Sequence, residues 1–483
     1  MESREPGSAG EGFADLVAAE DVLLFVNATV TATGQREFRS TEREQRLSLA
    51  FLHEYVLVNY RPVYAAALAL DINDHNAALI VAGLLRTAGE TDAAGRRHEG
   101  GLIAARLAVL PPQRVYRLFG ALRSAGVNNR RTRAIQREWL ADRPDLALDA
   151  VKYRGGLRTA LRHGHHRTAP ELGDFLFRPG ARTRYGHPLL EAYRRAHYEK
   201  DALYELPFTV AEGFAARRGV ARGEFLERIA PRMTRLERLR TQRTGPAADL
   251  SAMPLTRLAL YTLSLSLAER SARRAELTGA LRTAARRVAG PHAGSWGRVA
   301  AVLDDSWSSS GSGVKRRRPL AVALGAHFLL EALAGSYRAH WVSGAGDPLL
   351  IRPVGATPLG ARVLDALEDS PGRLVIVSDG WENAPPGLAG EVLRLWRTRL
   401  DPGRRTSVVH MNPVYDADGF DVRRLAPGVP AAGIRDAEDL PALVEIAQFA
   451  EGRTGLAELR SYLDRRTVDF LARHGRRQRA VAR

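Results

Sequence analysis

RVAAVLDDSWSSSGSGV, residues Arg298 to Val314, joins a short apolar run to an acidic, hydroxyl-rich turn. The run Val299-Ala300-Ala301-Val302-Leu303 has the composition of a buried parallel strand. In an open α/β sheet, ligands bind just beyond the carboxyl ends of such strands. The turn places Asp304, Ser306 and Ser308 at alternating positions, so one carboxylate and two hydroxyls can point the same way. Hard oxygens converging in this manner suit Mg²⁺ or Mn²⁺, although Asp/Ser/Gly clusters are first of all turn formers and helix caps. Two later segments strengthen the cation reading. Gly355-Ala356-Thr357-Pro358 opens a helix and adds a hydroxyl, and the strand-like run Leu374-Val375-Ile376-Val377 ends in Ser378-Asp379-Gly380.

An Asp-x-Ser-x-Ser turn after one strand, a lone Thr opening a helix and an Asp after a later strand resemble the metal-ion-dependent adhesion site (MIDAS) of von Willebrand factor A domains. That resemblance implies an α/β, doubly wound, Rossmann-like domain in which three loops hold one divalent cation, most suitably Mg²⁺. It makes Asp304, Ser306, Ser308, Thr357 and Asp379 the direct or water-mediated metal ligands. A protein partner then contributes an acidic ligand to the cation. The chain departs from the family at Trp307, where Gly is usual, and at Ser309 to Gly313, which lengthen the turn.

The chain has 483 residues, enough for two or three domains, and 45% of them are apolar. It contains no cysteine, which excludes disulfides, zinc–thiolate centres and thiol catalysis. The start, MESREPGSAGEGFADL, lacks the basic-then-apolar order of a secretory signal, and no apolar run approaches a membrane span. A cytoplasmic protein is expected. The net charge of +17 is unevenly spread, at −6 over residues 1–100, +20 over 101–300, −2 over 301–450 and +5 over 451–483. A regional surplus of this kind is the footprint of a polyanion site, most often nucleic acid.

Residues 1–20 read as a flexible tail, and the β-branched run Asp21 to Thr33 as a strand or a docked extended segment. From about Ser40 to Val288 the pattern is serially helical, opened by a capping-box signature at Thr41-Glu-Arg-Glu. Helices are expected near Asn76–Ala88, Glu99–Leu110, Pro112–Ala125, Arg131–Leu140, Asp145–Tyr153, Leu189–Tyr198, Glu224–Arg243 and Leu255–Glu269. Serial short helices without strands predict an all-α, HEAT-like helical-repeat solenoid, one that can close into a ring. The expected domains are 21–292 (helical), 293–450 (A domain, closed by a helix at Leu440–Ala450) and 451–483 (a basic C-terminal helix and tail).

Within the basic region, Asp149-Ala-Val-Lys152-Tyr153-Arg154 followed by Leu161-Arg162-His163-Gly164-His165 resembles a signature of the TROVE module of Ro ribonucleoproteins. Leu206-Pro207-Phe208-Thr-Val-Ala-Glu-Gly and Met253-Pro254-Leu255-Thr256 are similar to later stretches of that module. The resemblance implies an RNA-binding protein that takes single-stranded 3′ ends in a central hole and small structured (Y-like) non-coding RNA on its outer surface. Lys152, Tyr153, Arg154, Arg158, Arg162 and His165 would then contact RNA in the hole, across a loop between Arg154 and Leu161 that is shorter than the family's. Arg130, Arg131 and Arg133, after Asn128-Asn129, form a second basic cluster assigned to the outer surface. Such residues suit the task, because guanidinium and ammonium groups neutralise phosphates while His and Tyr stack on unpaired bases. The run His163 to His166 has no carboxylate at helical spacing and is not read as a zinc site. No GxSxG, HExxH or P-loop spacing occurs, so a binding protein is expected rather than an enzyme. The rival readings are a protein-binding scaffold without RNA and, more weakly, a metal-dependent nuclease using Asp304 and Asp379.

Overall fold

The computed structural model describes residues 7–475 except 235–236, 238–240, 242–249, 427, 442 and 444–455. Most of the expected closing helix at Leu440–Ala450 and the basic run from residue 476 onward lie outside the described residues. The remaining chain is a series of short helices followed by an α/β domain. It folds into two compact units, Met1–Ile80 with Asp249–Phe470 and Val81–Ala248 with Leu471–Arg483. These limits differ from the breaks expected at residues 20, 292 and 450.

Unit 1 holds a five-stranded parallel sheet of β1 (Arg298–Leu303), β2 (Ser336–Trp341), β3 (Arg373–Val377), β4 (Ser407–Asn412) and β7 (Ala431–Gly433), in the order β2-β1-β3-β4-β7. A small antiparallel pair, β5 (Tyr415–Asp416) and β6 (Asp421–Val422), lies between β4 and β7 in sequence. Alternate residues Ala300, Val302, Leu374, Ile376 and Val408 face a core completed by Leu359, Val363 and Leu367 of the helix Leu359–Glu368 and by Ala389 and Leu393. The intervening residues Val299, Ala301, Val375 and Val409 are equally buried and point to the other face. There the helix Arg318–Leu333 is buried almost all round, as an element enclosed by other elements must be. Because β1 leads to β2 on one side and the chain then returns to β3 on the other, the strand order reverses between β1 and β3. That switch point opens the crevice in which such folds bind ligands.

The N-terminal segment belongs to this unit and is helical, against both expectations for it. A single helix spans Gly7–Thr31, and its residues Val22, Phe25, Val26, Ala28 and Val30 are buried. The Asn27 amide donates to Asp421 Oδ1 (3.1 Å), and Asn27 Oδ1 accepts the Gly433 N–H (3.0 Å), tying this helix to β6 and β7. The next helix, Glu42–Asn59, starts at the expected capping box, in which Glu44 Oε2 accepts the Thr41 N–H (2.7 Å). Gln45 and Ser48 bond the backbone and the hydroxyl of Tyr415. Between the two helices, Glu37 forms a buried ion pair with Lys315.

Unit 2 carries the helices Ala93–Val109, Pro112–Ser124, Arg130–Ala141, Leu146–Lys152, Arg154–Gly164, Pro170–Phe177, Pro188–Arg195, Phe208–Arg217 and Arg222–Ile229. The segment from Arg154 to Leu161, expected as a loop, is the body of a helix. Asp149, fully buried, accepts the Tyr116 hydroxyl (2.8 Å) and two bonds from Arg143 (2.6 and 3.1 Å), which ties the helices Pro112–Ser124 and Leu146–Lys152 to the segment that follows Arg130–Ala141.

Candidate metal centre and candidate nucleic-acid interface

The carboxyl ends of β1 and β3 bring the first and third loops of the expected cation site together. Asp304 Oδ1 accepts the Ser306 N–H and Asp304 Oδ2 accepts the Ser378 hydroxyl, both at 2.9 Å. The Ser306 and Ser308 hydroxyls lie 3.3 Å apart. The second loop is laced to both others. Val354 and Trp307 exchange backbone bonds with Asp305 and Gly355 (3.1 and 3.2 Å), and Asn383 Oδ1 accepts the Thr357 N–H (2.7 Å). Thr357 is buried between these anchors. Arg270, buried on the helix Leu267–Ala272, donates to the carbonyls of Leu349 and Ile351, both at 2.9 Å, and so fixes the approach of the second loop. Trp307 is 63% exposed, so its bulk at a position that usually has Gly stands at the surface instead of among the donors.

Burial pushes the Asp304 carboxyl above the usual carboxylate range. Burial first, and the charge of Asp304 second, push Asp379 up to about 6, against the smaller opposing pull of the Arg39 guanidinium. Two enclosed carboxylates that destabilise each other's ionised form would both be relieved by a divalent cation. The donors on hand, two carboxylates and the hydroxyls of Ser306, Ser308 and Thr357, are all hard oxygens and fit Mg²⁺. Among the described residues no group of three or more His, Cys, Asp or Glu could hold a metal, so a cation here would rely on hydroxyls and water for its remaining positions. A cation held at Asp379 would compete with a proton there, so Mn²⁺ affinity would fall by up to about tenfold per pH unit below about 6. Titration calorimetry at pH 5 and pH 7 checks this, and equal affinities would place the cation away from Asp379.

The candidate RNA residues behave differently from one another. Arg154, Arg158 and Arg162 recur every four residues on the helix Arg154–Gly164 and share one face. That face lies over aromatic rings. The Arg154 guanidinium is 4.8 Å from the Phe175 ring and 5.8 Å from that of Tyr193, while Arg158 and Arg162 lie 5.8 and 5.2 Å from Phe177. Arg154 also donates to the Phe175 carbonyl (2.7 Å). Lys152 ends the preceding helix, 5.9 Å from the ring of Tyr153, which is itself half-buried against Tyr116. His165 is exposed in a left-handed C-cap, and His163 is buried against Gln136. The second cluster does not act as one surface. Arg130 is exposed and Arg133 half-buried, but Arg131 is committed within the unit, to Glu99 (3.0 Å) and to the Arg96 carbonyl (2.8 Å).

The chain has a Ro-like fold. It aligns with the crystal structure of the Deinococcus radiodurans Ro (RSR) protein at a TM-score of 0.55 and 16% identity, over 90% of this chain and 100% of that one. No protein-family model matches the chain, and no curated protein matches it by sequence. The likeness to the Ro protein covers both the helices and the α/β domain, as the two sequence resemblances require when taken together.

Several residues that shape the two sites escaped the sequence reading. Ser378 holds Asp304, Asn383 holds Thr357, and the buried Asp305 carboxylate accepts the Ser343 N–H (2.8 Å) and hydroxyl (2.5 Å). Ser378 had a visible signal as a hydroxyl directly before Asp379. Phe175, Phe177 and Tyr193 had none, since aromatic residues in helices read first as core.

Proposed function

We propose that the chain is a Ro-like RNA-binding protein. The helical module grips single-stranded RNA ends through Lys152, Tyr153, Arg154, Arg158, Arg162 and His165, and Arg130 and Arg133 contribute to holding small structured RNA. The α/β domain holds a divalent cation, most suitably Mg²⁺, at Asp304, Ser306, Ser308, Thr357 and Asp379, and recruits a protein partner. It is read as a binding protein rather than an enzyme, because the hydroxyls and carboxylates of the site are the donor set of a held cation. The observation that carries the RNA reading is the row of three arginines on one helix face, each against an aromatic ring. Phosphates and unpaired bases need both kinds of group side by side. The test is a binding assay with a small hairpin RNA ending in a single-stranded 3′ tail. Binding should weaken steeply as salt rises, with a slope of about 0.7 per phosphate contact. A salt-independent or undetectable interaction rejects the reading in favour of a protein-binding scaffold. Loss of the RNA during incubation with Mg²⁺ would point to a nuclease.

A further inference from the structure

Three helices end around one cavity in unit 2, with a volume of about 160 Å³. Its walls come from the last turns of Ala93–Val109 and Arg130–Ala141 and from the end of the helix Leu456–His474, where Leu471 to Gly475 belong to this unit. Ala104, Ala105 and Ala108 leave space that longer side chains would fill, and Ile135 and Trp139 complete the apolar wall. Trp139 is held in place. Its Nε1–H donates to the Leu107 carbonyl (3.0 Å), and Tyr116 and Phe119 stand edge-on to its ring at 5.1 and 5.5 Å. Leu471, one turn before its helix ends, reaches to 3.9 Å from where a Cβ on Gly101 would lie, so the third helix end is packed against the first.

The polar side of the cavity is acidic. Glu138 and Asp142, four residues apart, both line it and are exposed, and among the described residues neither carboxylate has an ion-pair or hydrogen-bond partner. Arg143, also in the wall, is already matched, because Asp149 accepts two of its N–H groups (2.6 and 3.1 Å). Each helix C-terminus adds about half a negative charge, and three of them meet here. The surrounding residues 101–300 carry a surplus of +20. That surplus is screened over about 8 Å at physiological salt, whereas the groups lining the cavity act at contact distance.

We propose that this cavity binds a planar organic cation, a guanidinium or amidinium group on a short apolar body. The body lies against Ile135, Trp139 and the alanines, and the cation directs its N–H groups to Glu138 and Asp142. An apolar cavity of about 150 Å³ takes up benzene, so a single six-membered ring or the methylene stem of an arginine fits. A phosphate would meet two carboxylates and three helix C-termini, which separates this site in kind from the arginine row on Arg154–Gly164. Two sources supply the cation. One is a free small molecule, and the other is the chain itself, since Gly475 lines the cavity and Arg476, Arg477 and Arg479 follow it in sequence.

Benzamidine is the probe, offered to the full chain and followed by titration calorimetry. One molecule should bind per chain, with benzamide, its neutral isostere, weaker by about tenfold or more. Glu138→Gln combined with Asp142→Asn keeps the shape and should weaken benzamidine by about tenfold or more, while benzamide binding stays as in the wild type. A full-chain variant with Arg476→Gln, Arg477→Gln and Arg479→Gln identifies the source. Tighter benzamidine binding in this variant shows that the chain's own arginines compete for the cavity, and equal binding assigns it to a free molecule. The proposal is overturned if neither the wild type nor this variant binds benzamidine. It is overturned equally if benzamide binds as well as benzamidine, or if the Glu138 and Asp142 double variant binds benzamidine like the wild type.

Discussion

Glu37→Ala is expected to cost unit 1 about 3–5 kcal/mol, and adding Lys315→Met should recover most of that loss. Lys315 and Glu37 side chains are 6% and 3% exposed, so alanine at 37 leaves an ammonium group enclosed without its counter-charge. Burial is the largest influence on both groups. It raises the Glu37 carboxyl and lowers the Lys315 ammonium despite the attraction between them. In each case desolvation outweighs what the partner returns, so the pair adds little net stability over an apolar replacement but is costly to break. The half-buried Arg318 guanidinium nearby worsens the orphaned state, since its charge adds to the depression of Lys315. With two compact units the chain need not unfold in one step, so amide hydrogen exchange in β1 and β3 is the suitable measure. Protection there should collapse in Glu37→Ala and return in the double variant. A Glu37→Ala protein as protected as the wild type would show that the N-terminal segment is not part of this unit's core.

The same pair explains why the division into units was not legible in the sequence. Periodicity reports what a segment buries, and not which distant segment buries it. Asn27 meets Asp421, 394 residues away, and nothing in either neighbourhood names the other. The helix Gly7–Thr31 was obscured for a related reason. Asp21 to Thr33 is rich in Val, Leu, Phe and Thr, and a helix buried on every side loses its amphipathic stripe and takes on the composition of a strand. Its hydroxyls are satisfied locally, with Thr29 bonding the Val26 carbonyl and Thr31 the Asn27 carbonyl. By contrast β1 and β3 were plain, because central parallel strands covered on both faces must be continuous apolar runs, and Val299–Leu303 and Leu374–Val377 are. The short β7, Ala431–Gly433, carries no such mark.

The three loops of the candidate cation site could be picked out in the sequence because the pattern depends on residue type and order, and both are sequence properties; the structure brings the loops together. The basic site was readable only in part. Spacing of four put Arg154, Arg158 and Arg162 in line once their segment proved to be a helix, yet Arg131 looked equivalent to Arg130 until Glu99 was found against it. Whether a guanidinium is spent inside the fold or left for a ligand is decided by tertiary neighbours.

Arg158→Glu with Arg162→Glu is therefore expected to weaken binding of RNA with a single-stranded 3′ tail by about 100-fold and to lower the salt slope by about 1.4, two contacts at roughly 0.7 each. Arg162 is the exposed member and Arg158 is half-buried, and neither forms an ion pair with a described carboxylate, so reversing them should perturb the ligand more than the fold. Arg154 is the wrong residue for a first test. It holds the Phe175 carbonyl at 2.7 Å and packs on two rings, so its loss mixes a structural cost with a binding cost. Removing the neighbouring aromatic surface should act differently. Phe177→Ala takes away a stacking platform worth about 1–3 kcal/mol per base while leaving the charges, and so the salt slope, unchanged. A control of equal charge change, Arg257→Glu with Arg399→Glu, alters two exposed positions elsewhere and should weaken binding only through the mean field, by a few-fold at most. Filter binding across a salt series reads both the affinity and the slope. If the control pair weakens RNA binding as much as the Arg158 and Arg162 pair does, the protein attracts RNA by its overall charge and the arginine row on this helix is not the place where the strand lies.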